Sequence, residues 1–482
     1  MFDVLIIGCG VIGAACAYEL GKYDLSVCVL EKSNDVANGT SKANSAIIHA
    51  GYDPHCKTGM ARLNVLGNRL MPELCRKLDV PYRKIGSHVL AFSEEELQTL
   101  RTLYQRGVQN GVENMRILSA KEVLAMEPQL SDQVLGSLWA PDAGVVSPWE
   151  LTLALIETAI RNGAELHLSS EVTALQKTEK GFRVQTGAGA YEAKVVLNAA
   201  GLFAGAIQKM AGEPPCPVQP NRGEYYLLDK SEGGRVHSVI FQCPNQNGKG
   251  VLIAPTVHGN LLVGPNAENT GSAEDTGNTA QALQFVQRMA LRSVPTLNFR
   301  ENIRNFAGIR ANHASDDFLI GESPLHPGLY HLAGIKSPGL SSAPAIALDA
   351  ARYVCERLNA QKKQTYCDSR SVIRFRMLSD EQKQALIAHD ASYGRIICRC
   401  ETITEGEILA ALRSPVPPTS LNAVKRRVGA GMGRCQGSFC SPRVQELLSA
   451  ELGVAMKDVL LDEEGSYILS GALREENGKP DL

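Results

Sequence analysis

The sequence contains no uninterrupted apolar run of the ~18 residues that a membrane-spanning helix needs. It also has no strong excess of either charge, because 49 Lys and Arg oppose 51 Asp and Glu, giving a formal net charge of −2. A nucleic-acid-binding surface is normally basic, so we expect no nucleic-acid partner. We also expect no transmembrane segment.

We also expect no export signal, since residues 1–8 form a short apolar run without a charged start or a cleavage site. The 13 cysteines are an odd number in a chain of 482 residues, which is atypical of a disulfide-bonded secreted domain. We therefore expect a cytoplasmic protein with reduced thiols. Any contact with the inner membrane would be peripheral and made through partners.

The order of predicted elements indicates a large two-lobed unit with an appendage. A strand–glycine loop–helix–strand pattern over 3–31 is typical of a βαβ unit, and a second α/β pattern follows Pro148. Between 223 and 264 the pattern changes to strands with turns, which predicts a separate antiparallel lobe. The nucleotide fold resumes at 328–334 and closes with a helix over 343–358.

The first loop carries the sequence Gly8-Cys9-Gly10-Val11-Ile12-Gly13. This GxGxxG follows a predicted strand and opens a helix, and Glu31 ends the next strand. Glycine lets the backbone approach a pyrophosphate, whose charge the helix N-terminus favours, while a carboxylate accepts hydrogen bonds from ribose hydroxyls. The alternative is a tight βα turn without a ligand. FAD and NAD share this pattern, so it does not choose between them.

Three later segments, 39–51, 198–201 and 334–340, resemble the flavin-facing segments of the D-amino-acid-oxidase-like FAD superfamily. The resemblance covers residues 1 to about 358 and implies that the cofactor is FAD. It places the first segment beside the flavin and the last near the pyrimidine end of the ring. For Lys336 and Ser337 plain solvent exposure is the alternative. The implied cofactor residues are Gly8, Gly10, Val11, Ile12, Gly13, Glu31, Ser41, Asn44, Ser45, Val172, Ala200, Gly201, Gly334, Lys336, Ser337, Gly339 and Leu340.

Segments 49–54, 60–65, 220–226 and 263–267 are similar to the L-2-hydroxyglutarate dehydrogenase branch, whereas the C-terminal part resembles the large subunit of anaerobic glycerol-3-phosphate dehydrogenase. The resemblance implies an FAD-dependent dehydrogenase that oxidises a small anionic secondary alcohol by hydride transfer to flavin. Glycerol 3-phosphate and an L-2-hydroxy acid such as L-2-hydroxyglutarate both stay open. Glycerol-3-phosphate enzymes commonly carry an arginine where this chain has Tyr52-Asp53.

Such a substrate needs a fixed cation and a base. Arg310 matches the anion-binding arginine of the family, and its planar fork suits carboxylate or phosphate. His49 matches the histidine that the glycerol-phosphate oxidase branch places at the flavin, so we predict that both residues are catalytic. His258 and His313 are further candidates for substrate contact. The alternatives are a surface arginine in a salt bridge and structural or surface histidines.

Cys398 and Cys400 form a C-x-C, and Cys435 and Cys440 form a C-x4-C. Four thiolates suit an iron–sulfur cluster or zinc, although zinc sites prefer two to four residues between paired cysteines. The flanking residues resemble the bacterioferritin-associated-ferredoxin-like domain, which implies a [2Fe-2S] cluster; zinc and no metal remain alternatives. Cations at Lys425-Arg426-Arg427, Arg434 and Arg443 would raise the potential of an anionic cluster, unless they form a solvated helix face.

The predicted fold class is α/β, with a Rossmann-like FAD-binding domain, an antiparallel-sheet substrate domain and a small, mainly helical four-cysteine domain. The FAD-binding domain is expected at about 1–80, 145–215 and 325–360, and the substrate lobe at about 81–144 and 216–324. A linker over 361–393, the [2Fe-2S] domain over 394–450 and a tail over 451–482 complete the chain.

The expected electron path runs from flavin through the cluster to a second flavoprotein, an acceptor subunit or a quinone pathway. One alternative function is an electron-transfer or scaffold flavoprotein subunit with a vestigial substrate site. Another is an amino-acid oxidase. Reduction of the flavin by substrate under anaerobic conditions distinguishes the first alternative from a dehydrogenase.

Overall fold

A computed structural model describes residues 1–244, 250–315 and 317–471. Two compact units make up the chain: Met1–Lys32 with Ala37–Arg370, and Ser33–Val36 with Ser371–Leu482. The predicted linker, 361–393, is divided between the units at Arg370. Residues 472–482 of the predicted tail lie outside the described residues. The finer domain boundaries stay predictions.

The first unit contains two large sheets flanked by helices. Its strands are β1 (Phe2–Ile7), β2 (Val27–Leu30), β3 (Ile47–Ile48), β4 (Tyr82–Lys84), β5 (Ser87–Ala91), β6 (Arg116–Ser119), β7 (Gly136–Ala140), β8 (Gly144–Val146), β9 (Glu165–His167), β10 (Val172–Thr178), β11 (Gly181–Thr186), β12 (Gly189–Asn198), β13 (Gln219–Leu228), β14 (Val239–Gln242), β15 (Leu252–Pro255), β16 (Leu261–Gly264), β17 (Glu268–Asn269), β18 (Asn302–Asn312), β19 (Leu319–Glu322) and β20 (Leu329–Ala333). Its helices are α1 (Val11–Leu20), α2 (Gly59–Lys77), α3 (Glu94–Asn110), α4 (Ala120–Met126), α5 (Pro148–Arg161), α6 (Ala204–Met210), α7 (Ala280–Ser293) and α8 (Gly339–Leu358).

The nucleotide-type sheet is built around β1, which pairs in parallel with β2 on one side and β12 on the other. β9 and β20 extend the parallel part, while β10, β11 and β19 add antiparallel strands. Val4, Leu5 and Ile6 are fully buried, as expected for a central parallel strand, and α1 packs against α5 and α8. The predicted Rossmann-like domain is confirmed.

The second sheet follows the order β17-β13-β16-β15-β14-β5-β7-β6, with β18 on the free side of β13. Its pairs are antiparallel except β5 with β14, which are parallel. This confirms an antiparallel substrate lobe. Strands β3, β8 and β4 form a small third sheet, and His49 directly follows β3.

The second unit is mainly helical. It contains α9 (Asp380–His389), α10 (Glu405–Leu412), α11 (Leu421–Val428) and α12 (Ser441–Leu452), with an antiparallel pair of short strands, β21 (Ile396–Cys398) and β22 (Ile403–Thr404). Ile408, Val424 and Leu448 are fully buried in its core. Thr404 begins α10 with a capping box, in which its side chain and that of Glu407 each bind a backbone amide. Within the described ranges, no helix is both long enough and apolar enough to span a bilayer.

Candidate active site

The turn between β1 and α1 depends on glycines that lie against neighbouring backbone. Gly8 has φ +98°, and a Cβ there would lie 2.6 Å from the carbonyl oxygen of Ala199; a Cβ on Gly13 would lie 1.9 Å from the oxygen of Gly8. The N-cap residue of helix α1 is Gly10, which has no side chain to cap the helix. This close backbone approach at a helix start fits a pyrophosphate. The predicted cofactor residues of the turn are Gly8, Gly10, Val11, Ile12 and Gly13.

Glu31 follows β2 and lies against the same turn, where its Oε2 accepts a hydrogen bond of 2.7 Å from the amide of Cys9. It is 9% exposed, so its carboxylate remains within reach of a ligand at this edge of the sheet. Val172 and Ala200 belong to the apolar cluster that continues from β1 and β2. Gly201 follows with φ +56°. Two of the predicted cofactor residues, Glu31 and Ala200, therefore lie against the glycine turn.

The segment 39–46 connects this turn to the substrate sheet. Asn44 Nδ2 donates to backbone carbonyls within the segment, which holds the loop in shape. Ser45 Oγ lies 3.1 Å from the hydroxyl of Tyr225 on β13. A Cβ on Gly308 of β18 would lie 1.9 Å from the carbonyl oxygen of Ala43, so glycine permits the close approach of β18 to this loop. The loop also includes Ser41, whose Oγ accepts from the amide of Val11 at 2.9 Å.

His49 is fixed at both its backbone and its ring. Its amide donates to Ser341 Oγ at 2.8 Å, and its Nε2 lies 3.2 Å from Ser337 Oγ. The ring stacks on Phe241 with centroids 5.7 Å apart. A small cavity lies beside it, lined in part by Asn64 and Pro338. An imidazole held in this way can accept a proton from a bound hydroxyl.

The segment after β20 approaches His49 from the other side. Gly334 has φ +61° and packs against His313, whose Cβ would lie 3.4 Å from a Cβ on that glycine. Lys336 Nζ lies 3.4 Å from the carbonyl oxygen of His313. Ser337 is exposed, and α8 begins two residues later at Gly339, with Leu340 in its first turn. The segment thus presents backbone amides at a helix start next to His49.

Arg310 lies on β18 directly opposite Asn221 of β13. Its Nη1 donates to Asn221 Oδ1 at 2.5 Å, and its Nη2 donates to the carbonyl oxygen of Asn266 at 3.1 Å. Side chains alternate along a strand, so Arg310 shares its face with Gly308, the residue that packs on the 39–46 loop. Arg310 therefore lies on the side of the sheet that faces the predicted flavin segment.

The other two histidines have separate surroundings. His313 Nδ1 accepts from the amide of Ser315 at 3.0 Å, beside the 334–340 segment. His258 lies in the turn between β15 and β16, where its Nε2 is 3.2 Å from Glu150 Oε1 and its ring stacks on Trp149. His49 and His313 therefore both lie against the 334–340 segment, whereas Arg310 lies on β18 and His258 contacts α5. Substrate contact by either histidine stays a prediction.

The four cysteines come together in the second unit. Cys400 Sγ and Cys435 Sγ are 3.4 Å apart, and a hydrogen bond from the thiol of Cys440 lowers the pKa of Cys398 to about 6. Each pair thus joins one cysteine of the C-x-C to one of the C-x4-C. No group of three or more His, Cys, Asp or Glu side chains in the described chain suits a single metal ion. Two pairs of thiols fit a cluster with two irons.

The expectation for the neighbouring cations needs a correction. Arg426 and Arg427 are buried, and their Nη2 atoms lie 2.8 and 2.9 Å from the Asp35 carboxylate. They therefore form neither a solvated helix face nor an uncompensated charge for the cluster. Arg443 binds Glu405 and Glu446. Asp35 lies 392 residues before Arg427, so no local pattern reveals this pairing.

Comparison with known proteins assigns the family. The model of the FAD dependent oxidoreductase family matches residues 3–353, which include the glycine turn, the 39–51 segment, Arg310 and the 334–340 segment. This chain belongs to that family. A second model, the BFD-like [2Fe-2S] binding domain, matches residues 396–450 of this FAD-dependent oxidoreductase and includes all four cysteines.

Curated and solved relatives of this FAD-dependent oxidoreductase agree with that assignment. A glycerol 3-phosphate dehydrogenase of Caloramator mitchellensis is 50% identical over 480 residues, 99% of this chain and 100% of the relative. An L-2-hydroxyglutarate dehydrogenase of Escherichia coli (strain K12) is 32% identical over 55% of this chain and 64% of the relative. The structure of L-alpha-glycerophosphate oxidase from Mycoplasma pneumoniae with FAD bound has a TM-score of 0.74 at 33% identity, covering 77% of this chain and 99% of that one.

These matches confirm the predicted superfamily, the oxidoreductase class and both cofactors, FAD and a [2Fe-2S] cluster. The roles of individual residues stay predictions. The sequence reasoning missed Asn221, Tyr225, Asn266 and Ser341, which hold Arg310, Ser45 and His49. Asn221 and Tyr225 stand in a segment that the resemblance singled out, but their contacts depend on a strand pairing that the sequence does not specify.

Proposed function

We propose that this FAD-dependent oxidoreductase is a dehydrogenase that oxidises glycerol 3-phosphate to the corresponding ketone. The observation that carries the proposal is Arg310, a guanidinium held by two neutral oxygens on the face that packs against the 39–46 loop. A cation held in this way suits an anionic substrate. The likeness to a full-length glycerol 3-phosphate dehydrogenase supports phosphate as that anion.

In the proposed reaction, each of a few side chains has a separate role. FAD, when bound, supplies the hydride acceptor. Arg310 binds the phosphate through its planar fork and so fixes the carbon skeleton. His49 takes the proton of the substrate hydroxyl, and Ser337, 3.2 Å from its Nε2, orients the ring. His313 and Lys336, whose Nζ lies 3.4 Å from the His313 carbonyl oxygen, are proposed to contact the substrate or the flavin.

A second candidate substrate is an L-2-hydroxy acid such as L-2-hydroxyglutarate. The guanidinium fork of Arg310 suits a carboxylate as well as a phosphate. Tyr52-Asp53 stands where glycerol-3-phosphate enzymes commonly carry an arginine. The Escherichia coli L-2-hydroxyglutarate dehydrogenase is 32% identical over 55% of the chain, against 50% over 99% for the glycerol 3-phosphate dehydrogenase of Caloramator mitchellensis. We therefore rank the phosphate first.

We further propose that electrons leave through the [2Fe-2S] cluster to an acceptor subunit, a second flavoprotein or a quinone pathway. The support is that one edge of the four-cysteine site is open to solvent: Cys400 is exposed, and Phe439, next to Cys440, is 84% exposed. An accessible edge lets a protein partner approach the cluster. Such a partner would also account for a peripheral association with the inner membrane.

The substrate proposal is tested by adding candidates anaerobically to the FAD-loaded full chain and following the flavin absorption band. Glycerol 3-phosphate should bleach the band, and neutral glycerol at the same concentration should not, because it lacks the anion that Arg310 binds. Bleaching by L-2-hydroxyglutarate but not by glycerol 3-phosphate would select the second candidate. Bleaching by glycine alone would indicate an amino-acid oxidase, and no bleaching by any of them a vestigial site.

A further inference from the structure

Two arginines on the paired strands β13 and β18 have opposite electrostatic surroundings. Arg222 on β13 contacts three carboxylates: Glu224 at 3.3 Å, Glu268 at 3.1 Å and Asp275 at 2.7 Å. Its side chain is only 10% exposed, so these carboxylates compensate its charge within the fold. The positive charge of Arg222 is therefore neutralised within the fold and is not available to bind a ligand.

Arg310, on the opposite face, is held differently. Its two partners are the Asn221 side-chain oxygen and the Asn266 backbone oxygen, and both are neutral. Among the residues that the structure describes, no carboxylate forms an ion pair with it. Neutral acceptors fix the direction of a guanidinium without cancelling its charge, and its remaining N–H groups can bind an anion.

The side-chain oxygen of Asn221 is fixed in position to accept the hydrogen bond from Arg310. It is 7% exposed, and its Nδ2 donates to Asn269 Oδ1 at 3.0 Å, which turns its Oδ1 toward Arg310. Gly223, two residues along the same face, gives the guanidinium its space, because a Cβ there would lie 2.3 Å from Arg310 Nη2. Hydrogen bonds thus connect Asn269, at the exposed edge of the sheet, through Asn221 to Arg310.

We propose that Asn221 is a positioning residue that orients the Arg310 guanidinium toward the substrate anion and, because it is neutral, preserves the charge of Arg310 for that anion. The inference rests on the proposed function. It implies that an aspartate at position 221 is more harmful than an alanine. Alanine loosens Arg310 but leaves it charged, whereas aspartate pairs with it and competes with the substrate.

The test compares Asn221→Ala, Asn221→Asp and Asn305→Asp by anaerobic steady-state kinetics with glycerol 3-phosphate and an artificial electron acceptor. We expect KM to rise about tenfold for Asn221→Ala and about a hundredfold for Asn221→Asp, the range that loss of a charge-assisted hydrogen bond covers. The kcat should change little, and the inhibition constant of inorganic phosphate should rise with KM. Asn305 lies on the other face of β18, so Asn305→Asp should behave as wild type.

A double variant separates positioning from a general structural effect. In an Arg310→Ala background, Asn221→Ala should add nothing to KM, because the two residues act as one unit. Bound FAD and the thermal unfolding temperature should match those of wild type. If Asn221 variants do not fold, Asn269→Ala replaces them, with an expected rise in KM of about threefold because it only frees the Asn221 amide.

The outcomes distinguish this inference from the proposed function. Wild-type protein that neither oxidises glycerol 3-phosphate nor binds phosphate would overturn both. Wild-type protein that oxidises it, with Asn221→Asp and Asn269→Ala showing unchanged KM, would overturn the inference alone. A KM for Asn221→Ala that equals or exceeds that of Asn221→Asp would refute the role of neutrality.

Discussion

At the scale of single residues, Arg310 and Gly10 carry the functional account. Arg310 lies on the same face of β18 as Gly308, which packs against the 39–46 loop of the predicted flavin segment. Gly10 lies in the turn where the pyrophosphate of FAD is proposed to bind. Each can be tested by one substitution with a matched control.

Arg310→Lys should lower kcat/KM for glycerol 3-phosphate by about tenfold or more, the scale of one lost charge-assisted hydrogen bond, because an ammonium cannot reproduce a planar fork. The measurement is steady-state kinetics on the FAD-loaded protein. Arg304→Lys, an exposed position on the same strand, is the control and should have no effect. Unchanged kcat/KM in Arg310→Lys would contradict the assignment of the anion site.

Gly10→Val should abolish retention of FAD. A Cβ on Gly10 would already lie 3.2 Å from Ser41 Oγ, and the methyl groups of valine would occupy the space where the backbone approaches the pyrophosphate. The FAD content per purified chain is the measurement. Gly187→Ala, in the turn between β11 and β12, is the control, since no heavy atom lies within 4 Å of a Cβ at that position. Normal FAD content in Gly10→Val would rule out this placement of the cofactor.

At the scale of elements, Arg426 and Arg427 of α11 form a buried ion-pair network with Asp35 of the segment Ser33–Val36. Burial raises the pKa of Asp35, but Arg427 and Arg426 outweigh it and hold that pKa below its ordinary value of 3.8. The ion pairs therefore stabilise the folded state above the unfolded pKa. This stability is lost as the pH falls through the lower folded pKa.

Asp35→Asn should destabilise the second unit by about 3–5 kcal/mol at neutral pH, because it leaves the buried Arg427 guanidinium without a counter-charge and Arg426 with Asp462 as its remaining carboxylate. Urea unfolding followed by the visible absorbance of the cluster measures this, with the flavin band recorded separately. The difference from wild type should shrink below pH 4, where Asp35 becomes protonated as the protein unfolds. Asp380→Asn, whose carboxylate is 88% exposed, is the control. Equal stability of Asp35→Asn and wild type would refute the buried ion-pair network.

The elements also show which features the sequence can predict. The strand–glycine loop–helix–strand pattern over 3–31 correctly predicts the order β1, α1, β2, because local periodicity and a steric need for glycine determine these elements. The pairing of β13 with β18 joins Asn221 to Arg310 across 89 residues, and no local pattern encodes that register. Helix α8 begins at Gly339, four residues before the predicted start at 343. The pairing of Arg427 with Asp35 could not be predicted either, because the two residues are 392 positions apart and no local pattern links them.

At the scale of the whole molecule, the flavin and the cluster belong to two separate compact units. Cys435→Ser should therefore abolish the cluster and leave flavin reduction by glycerol 3-phosphate intact. Iron analysis and anaerobic bleaching of the flavin band measure the two properties in one preparation. Cys216→Ser, in the first unit and outside the four-cysteine site, is the control. Loss of flavin reduction in Cys435→Ser would show that the first unit does not function without the cluster.

The central claim is that electrons from glycerol 3-phosphate pass through FAD to a [2Fe-2S] cluster in the same chain. The most direct measurement adds the substrate anaerobically to the full chain, prepared with about two irons and two sulfides. It records the flavin band and the electron paramagnetic resonance of the reduced cluster in the same sample. The account predicts that the flavin bleaches and that the cluster signal appears in wild type but not in Cys435→Ser. A bleached flavin beside a cluster that stays oxidised, or stoichiometric zinc in place of iron, would contradict it.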